Sequence, residues 1–218
     1  MSSLDRVLIV SPHPDDDVIG MGASMEMMPN KSNVKIVYMT NGDGATNEKG
    51  SRMKEALSAI KILGYDQSHI IDGQMPFYHL SDRKITDQDF LRFEGILKEF
   101  KPNHIFLCKD SDPNKTHDKC CEIVEHFSNF ESLKYMWYYM GAWGQLGKGN
   151  EYTPNCRVTI NEKNYLKKLL AIKMHISQDP PVVGGKDSRS FVERALEADR
   201  SKTDVNVFEE KFHYVQLK

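Results

Sequence analysis

Residues 6–11 read RVLIVS, with apolar side chains in consecutive positions and not in alternate ones. A strand of that kind has both faces covered, the pattern of a parallel sheet sandwiched between helices. Similar runs return at NVKIVYMT (33–40), HIIDG (69–73), HIFLCKD (104–110) and KYMWYYM (134–140). Helical patterns separate or follow them: DDVIGMGASMEMM (16–28), SRMKEALSAIKILG (51–64), TDQDFLRFEGILKEFKP (86–102), residues 117–130, NEKNYLKKLLAIKMHIS (161–177) and SRSFVERALEADRSK (188–202). In the second of these, Met53, Ala56, Leu57, Ile60 and Leu63 share a face, and Gly64 suits the position just past a helix end. Strands alternating with helices at this spacing predict an α/β, Rossmann-like fold: a mostly parallel sheet with helices on both faces. With 218 residues the chain is long enough to bury a sizeable core, and we expect one domain over 1–218.

Net charge is −2 with no dense basic stripe, which argues against nucleic acid as a partner. The start, MSSLDRVLIV, lacks the apolar core of a secretory signal, and no run approaches the roughly 20 apolar residues of a membrane span. Cys108, Cys120, Cys121 and Cys156 show no disulfide framework and no CxxC pair. Reduced thiols and a cytoplasmic location are the expectation. Oligomeric state is not legible.

Ligands of open parallel sheets bind at the carboxyl ends of the strands. Three polar clusters fall there: PHPDDD after the first strand, TNGDGATN after the second and KDSDPNKTHDK after HIFLC. The fold brings them together although they are far apart in sequence. His13 and Asp16 lie three apart at a strand–helix turn, and His117 comes from the third cluster. Two imidazoles and a carboxylate make a catalytic Zn²⁺ set with one position open for water. Asp15, beside a ligand but not coordinating, is the expected general base. Neutralising it is expected to cost little stability, since three carboxylates crowd this turn. Aspartates also cap helix N-termini, but three in a row after His-Pro exceed what a cap needs. Gly20 and Gly22 give only GxG, without a GKS or GKT, so a phosphate cradle is not supported.

PHPDD after an N-terminal strand, with a histidine in DPNKTH later, resembles the zinc-dependent de-N-acetylases of the PIG-L/LmbE-like superfamily. TNGDG, the R-x-x-E-x-x-x-A helix at 52–59 with its terminal Leu-Gly, and MHISQ (174–178) resemble further segments of that family. SPHPDDDVIGMG, YYMGAWGQ and KMHISQDPPVVGGKDSRSFVERA are similar to the de-N-acetylase-like domain fused behind glucosamine-6-phosphate deaminase in some bacterial proteins. In those fusions the deaminase chemistry belongs to the other domain. The resemblance implies that His13, Asp16 and His117 hold Zn²⁺, that Asp15 is the base and that Arg52 reaches a substrate hydroxyl or phosphate. Two positions depart from the family: Asp17 stands where glutamate is common, and Asn114 stands where many relatives carry a second histidine. Asn114 as hydrogen-bond donor, Asp15 returning its own proton, or an approaching His175 then substitutes for that histidine. Among the aromatics of YMWYYMGAW, Trp143 lies beyond the strand and is a candidate pocket wall, while the others are assigned to the core.

The expected function is hydrolysis of an N-acetyl group on a small amino sugar of the N-acetylglucosamine type, or a related amide. Two other classes predict different behaviour. A sugar-phosphate isomerase or deaminase needs no metal, and a non-catalytic zinc-containing carbohydrate-binding domain holds zinc without turnover.

Overall fold

The structure is a computed structural model, described here over residues 5–45, 49–79, 83–109, 115–141, 153–178, 190–201 and 207–217. Seven strands form one sheet in the order β3-β2-β1-β4-β5-β7-β6. Strands β1 (Val7–Ser11), β2 (Val34–Tyr38), β3 (Ile70–Asp72), β4 (His104–Cys108) and β5 (Tyr135–Tyr139) are mutually parallel. Strand β7 (Phe208–Gln216) runs antiparallel to β5, and β6 (Cys156–Ile160) antiparallel to β7. Every residue of β1 and β4 is buried, as consecutive apolar runs require.

Helices cover both faces. One face carries α1 (Asp16–Met27), α2 (Ser51–Ile62), α6 (Glu162–Ile172) and α7 (Phe191–Asp199), which pack on Val7, Ile9, Ile36 and Phe212. The other carries the short α3 (Pro76–His79), α4 (Asp87–Phe100) and α5 (Thr116–Glu125), which pack on Leu8, Val10, Val37 and Leu107. The predicted ends of α2 and α4 hold. Gly64 follows α2 with φ +84°, and α4 opens with a Thr86–Asp89 capping box and stops at left-handed Lys101, just before Pro102.

Several expectations need correction. The segment 117–130 is helical only to Glu125, and 161–177 only to Ile172. Beyond Ile172 the chain turns into a 3₁₀ turn at Ile176–Gln178, which lifts His175 off the helix. Strands β6 and β7 and helix α3 have no counterpart among the predicted elements. Helix α1 is also not continuous: Met21, at φ −145° and ψ 20°, breaks it into two halves.

All four cysteines are free thiols. Among the described residues, no helix is long and apolar enough to cross a membrane. The parallel part of the sheet is laid down outward from β1 to β3, then on the other side from β4 to β5. The strand order therefore reverses between β1 and β4, and a crevice opens past their carboxyl ends.

Candidate metal centre

The turn that leaves β1 is braced before any ligand is considered. The Thr40 backbone N–H and hydroxyl both donate to the Pro12 carbonyl, at 3.1 and 2.8 Å. Ser11 Oγ lies 2.6 Å from the His13 carbonyl oxygen and accepts from the Asp17 N–H at 3.1 Å. Asp17 points into the core, where its carboxylate takes the Tyr38 hydroxyl at 3.1 Å. Burial pushes Asp17 up to about 7, against the opposing hydrogen bonds from Tyr38 and Ser11. Asp17 is thus a strut of the turn and not a face of the crevice.

The next two carboxylates part company. Asp16 Oδ2 accepts from the His13 N–H at 2.9 Å and faces two imidazoles. The distances are 3.3 Å to His13 Nδ1 and 3.2 Å to His117 Nε2, and the two nitrogens lie 3.0 Å apart. Ligand atoms about 2.0–2.1 Å from a tetrahedral ion are spaced roughly 3.3–3.4 Å from each other. The triangle formed by these three atoms is close to that size, and two nitrogens with one carboxylate oxygen are a donor set that suits zinc. The residues therefore fit the ion that their spacing implied. Burial opposes ionisation of Asp16, but His117 and His13 outweigh it and hold the carboxyl well below the usual carboxylate range. His117 is fully buried, and its far nitrogen, Nδ1, lies 3.8 Å from Cys108 Sγ, so the ring turns Nε2 toward the cluster. His13 is the more exposed partner and opens the cluster to the crevice.

Asp15 occupies the N-cap position of α1 yet makes no side-chain cap hydrogen bond. Its Oδ2 accepts instead from Arg52 Nη2 at 2.6 Å, and its Oδ1 takes no hydrogen bond from the described residues. Arg52 also donates to the Gly42 carbonyl at 3.3 Å. Gly42 has φ +68°, and a Cβ there would meet Arg52 Nη1 at 2.5 Å, so this approach needs glycine. Arg52 is almost fully buried, its guanidinium engaged by Asp15, whereas the sequence reading had it reaching out to substrate.

His175 is completely buried, and neither ring nitrogen has a hydrogen-bond partner among the described residues. Burial lowers it below its ordinary value, opposed by the charge of Asp15 and assisted by that of Arg52. Asn114 and Trp143 lie outside the described residues. One residue that sequence reasoning did not single out is Glu55, which binds Ser177. The R-x-x-E spacing of 52–55 was its only signal.

The GlcNAc-PI de-N-acetylase (PIG-L) family model matches residues 8–128, from β1 through α5. The chain belongs to this family. That PIG-L stretch contains His13, Asp15, Asp16, Arg52, Glu55 and His117, but not His175. Among curated proteins, the chain is 25% identical over 265 residues to a putative glucosamine-6-phosphate deaminase-like protein of Bacteroides thetaiotaomicron. The match takes in 89% of this chain and 39% of that protein, so the chain spans about two fifths of the relative's length. Among solved structures, N,N'-diacetylchitobiose deacetylase from Pyrococcus horikoshii superposes with a TM-score of 0.67 at 22% identity, covering 97% of this chain and 84% of that one. GalB, the 4-carboxy-2-hydroxymuconate hydratase of Pseudomonas putida KT2440, superposes with a TM-score of 0.69 at 15% identity, covering 97% and 96%. The PIG-L fold thus carries both a deacetylase and a hydratase, and the choice of reaction rests with the side chains of the site.

Proposed function

We propose that this PIG-L family member is a zinc-dependent amidohydrolase that removes the N-acetyl group of a small amino sugar of the N-acetylglucosamine type, or of a related amide. The observation that carries the reading is the convergence of His13 Nδ1, Asp16 Oδ2 and His117 Nε2 within 4.8 Å of one another at the strand-order reversal. These three side chains hold the zinc. Zinc in such a set polarises a carbonyl and brings the pKa of a bound water to near neutrality.

The chain's own residues handle the proton. Arg52 anchors one oxygen of Asp15 and leaves Oδ1 for the attacking water. As the water oxygen bonds to the acyl carbon, its proton passes to Asp15 Oδ1. The C–N bond then breaks as Asp15 returns that proton to the departing nitrogen, giving acetic acid and the free amine. His175, neutral and without a hydrogen-bond partner among the described residues, hydrogen-bonds the substrate's amide group in place of the second histidine that many relatives carry. Asn114 and Trp143, which lie outside the described residues, keep the substrate-binding roles expected of them from the sequence.

Metal analysis and acetate release test this together. Purified protein supplied with zinc should hold about one ion per chain, and His13→Ala or His117→Ala should reduce that to near zero. A panel of N-acetylated sugars should then yield acetate from the wild type. Wild-type protein that binds no zinc overturns the reading. Zinc binding without acetate release from any sugar or amide points to a carbohydrate-binding module, and metal-independent turnover of a sugar phosphate points to isomerase or deaminase chemistry.

A further inference from the structure

Helix α2 turns two charged side chains to the crevice, one turn apart. Arg52 holds Asp15, as described. Glu55 grips a single residue, Ser177, with both oxygens. Oε1 accepts from the Ser177 backbone N–H at 2.9 Å, and Oε2 accepts from the Ser177 hydroxyl at 2.8 Å. A carboxylate bound to both the main chain and the side chain of one residue fixes its position and its orientation. Ser177 sits at the centre of the 3₁₀ turn Ile176–Gln178, whose own backbone bonds back to the His175 carbonyl through the Gln178 N–H at 3.0 Å.

This turn has little apolar anchorage, because Ile176 is 74% exposed. Yet it carries the fully buried His175, whose imidazole has no hydrogen-bond partner among the described residues. A polar ring in that condition gains from turning out to water, so something must hold its backbone in place. The Gln178 amide bonds Ser177 from within the turn, at 3.0 and 3.2 Å; among the described residues, the side chain that ties Ser177 to another element is Glu55.

We propose that Glu55 is a positioning residue whose grip on Ser177 holds His175 in the crevice beside Asp15 and Arg52. A single helix then sets both sides of the site: Asp15 through Arg52, and His175 through Glu55. The catalytic meaning of this rests on the deacetylase reading; the positioning itself does not.

Two measurements separate the two. The first needs no substrate: the titration of the His175 ring followed by NMR in the purified protein, assigned by difference with His175→Gln. The charges acting on the ring are Asp15, Glu55 and Asp16, which favour protonation, and Arg52, which opposes it. In the wild type the midpoint lies below 6.5, because burial disfavours the charged form. In Glu55→Ala the released turn lets the ring meet water, and the midpoint rises toward 6.5. If Glu55 acted by charge alone, its removal would leave the ring buried and move the midpoint further down; a downward shift or none overturns the proposal. Ser177→Ala removes one bond without changing any charge and should give a smaller rise, so the test survives a Glu55 variant that folds poorly. The second measurement uses any substrate that releases acetate. Glu55→Ala should lower kcat about 10–100-fold with zinc content unchanged, and should add nothing in a His175→Ala background. An additive loss in that background would also overturn it. An upward titration shift with no deacetylase activity in the wild type would leave the positioning standing and remove the catalytic reading.

Discussion

Asp15 and Asp16 are neighbours in the chain and opposites in environment. Successive residues at a helix start point about 100° apart, so one carboxylate meets the two imidazoles and the other meets Arg52. The variant Asp15→Asn separates their roles. Zinc content should stay at the wild-type level, and kcat should fall by roughly 10²–10⁴, the usual contribution of a general base. Loss of zinc would make Asp15 a ligand. The structure changes the stability expected of this variant. Sequence alone offered three crowded negative charges, from which removing one costs little. In the fold, Asp15 neutralises a buried guanidinium, and the asparagine leaves that cation facing a neutral acceptor. Unfolding should become easier by about 1–3 kcal/mol, measurable by urea titration. The candidate ligand group was legible because His13, Asp16 and His117 each follow a recognisable strand. The partners of Arg52 and Glu55 were not, because they depend on how α2 lies over two distant turns.

Among the elements, α1 departs furthest from its sequence pattern. Its first half must leave the ligand turn and pass close under the end of β5. A Cβ on Gly20 would sit 2.4 Å from Tyr139 Cδ2 and 2.5 Å from the Met140 carbonyl oxygen, and a backbone oxygen cannot move aside cheaply. Gly20→Ala should therefore destabilise the protein by about 1–3 kcal/mol through overpacking, despite alanine's better helix propensity. Gly22→Ala, whose nearest contact would be Lys168 Cγ at 3.2 Å, is the control and should cost less. Equal denaturation midpoints for the two variants would refute the packing account. The five parallel strands were legible from their consecutive apolar residues. Strands β6 and β7 were not, because they form an edge pair with one wet face. In β7 the chain reads FEEKFHYVQ, and the buried position between Phe208 and Phe212 is Glu210, a carboxylate where an apolar residue marks an inward face.

At the scale of the whole molecule, that same Glu210 joins segments far apart in sequence. It accepts from the backbone N–H groups of Ala23 and Ser24, at 2.9 and 2.7 Å, which caps the second half of α1 after its break at Met21. Lys168 of α6 balances the charge, donating to Glu210 at 2.7 Å and to Asp199 of α7 at 2.6 Å. Burial alone favours a neutral amine; the two carboxylates outweigh it and raise Lys168 above its ordinary value. Lys168→Met removes the cation that bridges Asp199 and Glu210 and leaves two buried acids without it. Losing one partner of a buried ionic cluster costs about 3–5 kcal/mol. At about 2–4 °C per kcal/mol for a chain of this size, the melting temperature should drop by roughly 6–20 °C. An unchanged melting temperature would mean that the cluster contributes no net stability.

The cap on α1 also sets an order of events during synthesis. The helix that follows the candidate ligand turn is synthesised well ahead of the carboxylate that completes its second half, which lies 187 residues later. At about 5–20 residues per second, that half-helix waits roughly 10–40 s for its partner. Contacts of such long separation close late and slow the search for the native state. A nascent chain can therefore own every side chain of the candidate metal site well before the helix behind it is finished.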